Sequence, residues 1–258
     1  MDNLPPAESA SQRTSHDTKG ATKAVAADCL LRALTAPDLL EKRLFCQLGL
    51  GADDSDDEIR GLLLRQMYLV ELEQENDEAA LLIAEEMVDL ETLGDVARQD
   101  AARAAVALGR LDVAIGHLRI AARICPAARR SFHYAHLGVL LRFSGRKKQA
   151  LEALEKAKRW ATSDRALYLA IYALAEADAD GTETDWIELR TRLTNAPSTK
   201  AYGLWVLGEL SLRAGDPDAA QMYLRRFLER MTDAPRAKSL SLKGEIEHAR
   251  QLLKQIWA

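Results

Sequence analysis

The side chains with the best spacing for chemistry are two histidines, His133 and His136, standing at i and i+3 with Cys125 a turn or two upstream. At that spacing on a helix they could share a metal ion. A transition-metal site needs three or four ligands, however, and no fourth candidate lies near them in the chain. Both flank the apolar positions Tyr134 and Leu137, so a solvated or groove-edge face is expected for them. The carboxylate run Asp53, Asp54, Asp56, Asp57 and Glu58 lacks the alternating ligands, central Gly and twelfth-position Glu of a calcium loop. Placed ahead of Ile59, it suits a helix N-terminus, where carboxylates meet the positive end of the dipole. No phosphate-binding, dinucleotide-binding, nucleophile-elbow or zinc-protease motif occurs. The chain therefore reads as a non-enzyme with no cofactor and no metal.

What must position the side chains is a repeated pair of helices. From Arg98 to Pro126, apolar or small residues fall at Ala101, Ala102, Ala105 and Leu108, a face of period 3.6. Gly109 breaks the run, and a second face follows through Ala114, Ile115, Leu118, Ala121 and Ala122. The frame Gly109, Ala114, Leu118, Ala121 recurs as Gly145, Ala150, Leu154, Ala157 and as Gly215, Ala220, Leu224, Phe227. A weaker copy holds Asn76, Ala80, Ala84 and Met87; a degenerate one is expected around Leu169–Pro197, with polar Asp185 at its anchor.

These residues resemble the tetratricopeptide repeat, a helix–turn–helix unit of about 34 residues. Arg98–Pro126 and Tyr134–Ala157 match best, and Leu207–Phe227 comes next. The resemblance implies an all-α, right-handed α-solenoid of helix–turn–helix repeats with helical caps. The expected layout is a disordered N-terminal tail over 1–20 and a helical cap over 21–60, built of helices at 21–34 and 38–48. About five repeats over 61–235 follow, then one capping helix over 236–258. The resemblance also implies a concave groove lined by the first helix of each pair. Carried over by position, the groove residues are Arg65, Leu69, Gln99, Arg103, Phe132, Val139, Arg142, Phe143, Tyr202, Trp205 and Arg213. The Lys/Asn set by which chaperone-binding members grip a C-terminal carboxylate is missing from these positions.

An apolar and aromatic groove with arginines suits a peptide or amphipathic helix of a protein partner, with acidic flanks on the arginine forks. The chain is read as a protein-interaction adaptor or scaffold. Residues 51–100 hold sixteen acidic against three basic side chains, and 119–165 hold twelve basic against three acidic. This polarity allows head-to-tail self-association. It also leaves two alternatives: RNA binding on the basic middle repeats, or a regulatory subunit of a larger complex. A net charge of −4 and few aromatics between the basic residues weigh against nucleic acid. Lacking an apolar leader and any run of about 18 apolar residues, with three scattered cysteines, the chain is expected in the cytoplasm rather than in a membrane.

Overall fold

The computed structural model describes residues 25–52, 57–181, 183–196 and 201–256, and every regular element among them is an α-helix. The expected tail at 1–20, the acids Asp53, Asp54 and Asp56, Pro197 and Trp257 lie outside the described residues. No helix among the described residues is long and apolar enough to cross a membrane. The chain divides into two compact units, Met1–Leu93 and Gly94–Ala258.

The first unit holds α1 (25–35), α2 (Leu39–Leu50), α3 (Asp57–Glu73) and α4 (Asp77–Asp89). Helix α1 buries Ala26, Cys29 and Ala33, one small-residue stripe at helical spacing. Helix α2 starts at Asp38, whose carboxylate accepts from the Glu41 amide at 2.8 Å. It passes so close to its neighbours that a Cβ on Gly49 would lie 2.8 Å from Leu63 Cδ1 and 3.0 Å from Cys29 Cβ. Asp57 and Glu58 occupy the first turn of α3, at the positive end of its dipole. Arg43 pairs with Glu71 at 2.7 Å, and Arg60 with Glu86 at 2.6 Å. In the turn between α3 and α4, Glu75 takes φ +62°, the conformation that glycine supplies in other turns.

The second unit is four antiparallel helix pairs and a C-terminal extension. The pairs are α5 (Gly94–Ala107) with α6 (Leu111–Ile124), α7 (Ala127–Phe143) with α8 (Lys147–Trp160), α9 (Arg165–Asp180) with α10 (Trp186–Thr194), and α11 (Ala201–Arg213) with α12 (Pro217–Thr232). Three of the turns are the same structure. Gly109, Gly145 and Gly215 have φ of +72°, +73° and +76°, a region that costs any side chain. The next amide in each case, from Arg110, Arg146 and Asp216, closes back on Ala105, Leu141 and Ser211 carbonyls at 2.8–2.9 Å. This is the glycine C-cap that satisfies the last carbonyls of a helix. The anchors Ala114, Ala150 and Ala220 are buried, as the repeat frame requires. Small residues then set how close the paired helices lie. A Cβ on Gly138 would meet Leu154 Cγ at 2.5 Å, and one on Gly208 would meet Leu224 Cγ at 2.6 Å.

The degenerate pair is a real pair with a longer turn. Gly181 takes φ +65° at the end of α9. Asp185 is the N-cap of α10, accepting from the Glu188 amide at 2.9 Å, which is why a polar residue stands where the other copies have alanine. Leu193, fully buried, does the packing instead.

The single capping helix expected after Pro235 is two helices, α13 (Arg236–Ser241) and α14 (Lys243–Ile256). Ser241 is pinned at the break: its hydroxyl donates to the Ala237 carbonyl at 2.9 Å and accepts from Arg103 Nε at 2.7 Å. The bend at Leu242 lets α13 lie on α5 while α14 packs on α11 and α12.

Candidate functional site

The inner face of the second unit is built by α5, α7, α9 and α11, and the protein's own C-terminus crosses it. Gly244, in the first turn of α14, sits against Phe143; a Cβ there would lie 2.5 Å from the ring. The Phe143 ring lies 5.9 Å from Trp205 and 5.5 Å from His248 of α14, and Tyr202 lies 5.4 Å from Trp205. Trp205 is fully buried. Phe143, Tyr202 and Trp205 are thus brought together, and α14 covers them.

Beside Phe143, Arg142 anchors an ion network whose inner members, Arg142 and Glu209, are buried. Arg142 reaches Asp178 at 2.6 Å and also pairs with Glu209; Arg213 of α11 pairs with the same Asp178 carboxylate, and Lys147 donates to the Asp178 backbone carbonyl. Only 8% of the Arg142 side chain is exposed. Burial opposes its charge, but Glu209 and Asp178 more than offset it and hold the guanidinium protonated. Arg142 is a strut between repeats, with its fork occupied. Glu245 of α14 is buried beside Tyr202, whose hydroxyl donates to it; desolvation pushes its carboxyl up to about 7. Burial likewise lowers His248, against the pull of Glu209.

The upstream part of the inner face stays open. A cavity of about 320 Å³ lies between Ala102, Arg103 and Val106 of α5, Leu140 and Phe143 of α7, and the α13–α14 elbow. Val139 and Gln99 contribute to its wall from buried positions. Arg103, held by Asp100 and Ser241, and Lys243 of α14 both line it. Phe132 is exposed at 42%, with its ring 4.4 Å from His136. Arg65 and Leu69 belong to α3 of the first unit, where both are half-buried.

The two histidines part company. His136 lines the cavity, its Nδ1 3.0 Å from Gln99 Nε2, and burial followed by Arg103 lowers it to about 3. His133 is buried at 2% exposure, which corrects the solvated face expected for it. Its Nε2 lies 2.7 Å from Asp95 Oδ2 and its Nδ1 3.2 Å from Gln99 Oε1, so both nitrogens are already engaged. The polar partners Asp95 and Gln99 lie a full repeat upstream, which is what carries the ring inward. Cys125 is buried, with its thiol on the Ala122 carbonyl. Among the described residues no group of three His, Cys, Asp or Glu comes together to hold a metal.

Residues 134–164 match the tetratricopeptide repeat family model. A solved structure described as a functional characterization of Pseudomonas aeruginosa pilF superimposes with a TM-score of 0.57 at 14% identity, covering 88% of this chain and 99% of that one. A tetratricopeptide repeat protein from Parabacteroides merdae gives a TM-score of 0.50 at 14% identity, covering 89% and 99%. None of the curated proteins compared matches significantly. The chain has a tetratricopeptide-repeat fold.

In this tetratricopeptide array the cavity-lining residues that sequence position missed are those of α13 and α14. Leu240, Lys243, Gly244 and Glu245 line the cavity from 138 or more residues away in the chain from Ala102. The available signal was Glu245, an acid on the same face as Ile246, Ala249 and Leu252. A second depression, of about 250 Å³, gathers Arg119, Arg123 and Lys156 around Tyr134, with Glu152 among them. Much of the remaining basic charge is locally paired: Arg129 with Asp95, Arg146 with Asp112 and Lys158 with Glu155.

Proposed function

We propose that the second unit is a non-catalytic cytoplasmic scaffold that holds a segment of a protein partner in the cavity between α5, α7 and the α13–α14 elbow. Tetratricopeptide repeats generally mediate protein–protein interaction. The observation that carries the reading is the cavity itself: an open, mainly apolar hollow on the first-helix face, walled on one side by the α13–α14 elbow. Its chemistry suits one apolar anchor side chain on Val106, Leu140 and Phe143, with a carboxylate of the same segment between Arg103 and Lys243. Val106 is half-buried, so Val106→Arg fills the hollow without opening the core. Capture of the partner from native extract should be lost in that variant and kept in Arg226→Glu, on the exposed side of α12. Equal capture by both variants would overturn the assignment.

A second reading has one observation behind it, the Arg119, Arg123, Lys156 and Tyr134 depression, which could hold the backbone of an RNA strand. It predicts nuclease-sensitive capture that falls by about 0.7 log units per log unit of salt for each phosphate contacted.

A further inference from the structure

Four polar side chains join α5 to α7 in one hydrogen-bonded chain that ends at the cavity. Asp95 and Gln99 stand four apart on α5, and His133 and His136 three apart on α7, so each pair shares one helix face. Asp95 Oδ1 accepts from Arg129 at 2.7 Å, and Asp95 Oδ2 lies 2.7 Å from His133 Nε2. The amide of Gln99 spans the two rings, 3.2 Å from His133 Nδ1 and 3.0 Å from His136 Nδ1. His136 lines the cavity, and its Nε2 makes no hydrogen bond among the described residues.

The protons of this chain are fixed from its buried end. A carboxylate only accepts, so His133 Nε2 carries a hydrogen. His133 is buried and Arg129 already balances the Asp95 charge, so the ring stays neutral, as its desolvation favours. Its Nδ1 is then a lone pair and requires a donor. That turns the amide nitrogen of Gln99 toward it, by a half-turn that exchanges two atoms of like size. The amide oxygen therefore meets His136 and takes a hydrogen from Nδ1. His136, kept neutral by burial and the nearby Arg103, is left with a bare Nε2. We propose that His136 Nε2 is the acceptor with which the cavity recognises an N–H or O–H of the bound segment, and that Asp95, His133 and Gln99 are positioning residues that set this polarity. The proposal rests on the cavity holding a partner segment and specifies it further: beside its apolar anchor, that segment presents a donor such as a peptide amide.

Long-range proton–nitrogen correlation spectra of protein with isotope-labelled histidine rings read which nitrogen carries the hydrogen, and His136→Gln assigns the signal. The wild type should show His136 protonated at Nδ1 and bare at Nε2. Asp95→Asn should reverse it. Arg129 only donates, so it keeps the new amide's oxygen and leaves the amide nitrogen to donate to His133 Nε2. Every bond in the chain then runs the other way, and His136 ends with its hydrogen on Nε2. Helical circular dichroism checks that the variant is folded. In the wild type, N-isobutylacetamide, an apolar group with one N–H, should shift the His136 signal; N-isobutyl-N-methylacetamide, which lacks the donor, should not. The wild-type spectrum and the amide pair test the proposal even where the variant fails to fold. A wild-type His136 with its hydrogen on Nε2, a folded Asp95→Asn protein with the wild-type tautomer, or an equal response to the two amides, none included, would overturn it. The tautomer measurement involves no partner, so it stands or falls separately from the capture experiment.

Discussion

Replacing Glu245 by Gln should make the protein more stable at neutral and alkaline pH and leave it little changed in acid. The carboxyl sits buried under α14 beside the Tyr202 hydroxyl, and desolvation raises it from 4.5 to about 7. Between those values the folded chain binds a proton that the unfolded chain has lost. Stability therefore falls as pH rises through the window, and above about 7 the full penalty of a buried carboxylate is present. At 1.36 kcal/mol per pKa unit the difference is about 3 kcal/mol. Gln keeps an acceptor for Tyr202 and carries no charge at any pH. Other groups titrate in the same range with the opposite sign: His133, His136 and His248 are lowered by burial, so each adds stability as pH climbs toward its ordinary 6.5. The difference between variant and wild type cancels them. Urea unfolding of both proteins at steps from about pH 4 to pH 8.5 should give a gap that opens between 4.5 and 7 and is flat on either side. A gap independent of pH, or one that narrows as pH rises, would refute the placement of this carboxyl in the α14 contact.

Three further changes test the packing. Gly138→Ala inserts a methyl 2.5 Å from Leu154 Cγ, and Leu154 is itself fully buried. Overpacking of about 1–3 kcal/mol should outweigh the roughly 1 kcal/mol that alanine returns to a helix interior, giving a lower urea midpoint. Arg142→Met strands the buried Glu209, while Asp178 keeps Arg213, and should cost about 3–5 kcal/mol, with partial recovery in Arg142→Met/Glu209→Met. Gly145→Ala forces a side chain to φ +73° and should cost about 1–2 kcal/mol by thermal unfolding, although nothing crowds the position.

The helix pairs were legible because their signals are local. Gly109, Gly145 and Gly215 mark turns that only a left-handed residue closes, and Ala114, Ala150 and Ala220 mark the tight contact five residues later. Asp185 misled as an anchor because a longer loop moved it to the cap, a shift that composition does not register. The path of the C-terminus was not legible: the bond from Arg103 to Ser241 joins residues 138 apart, and no periodicity encodes such a meeting. For the same reason the groove positions divide in a way that repeat register alone does not reveal. Trp205, Tyr202 and Arg142 are engaged by the chain itself, while Gln99, Val139 and one edge of Phe143 border the open cavity.

The most direct test of the scaffold reading is site-specific photo-crosslinking in native extract. A photoreactive side chain at position 106 faces the cavity between α5, α7 and the α13–α14 elbow; one at position 226 faces solvent on α12. The account predicts a discrete protein adduct from position 106 that is lacking from position 226. No adduct at 106, or the same adducts from both positions, would contradict it.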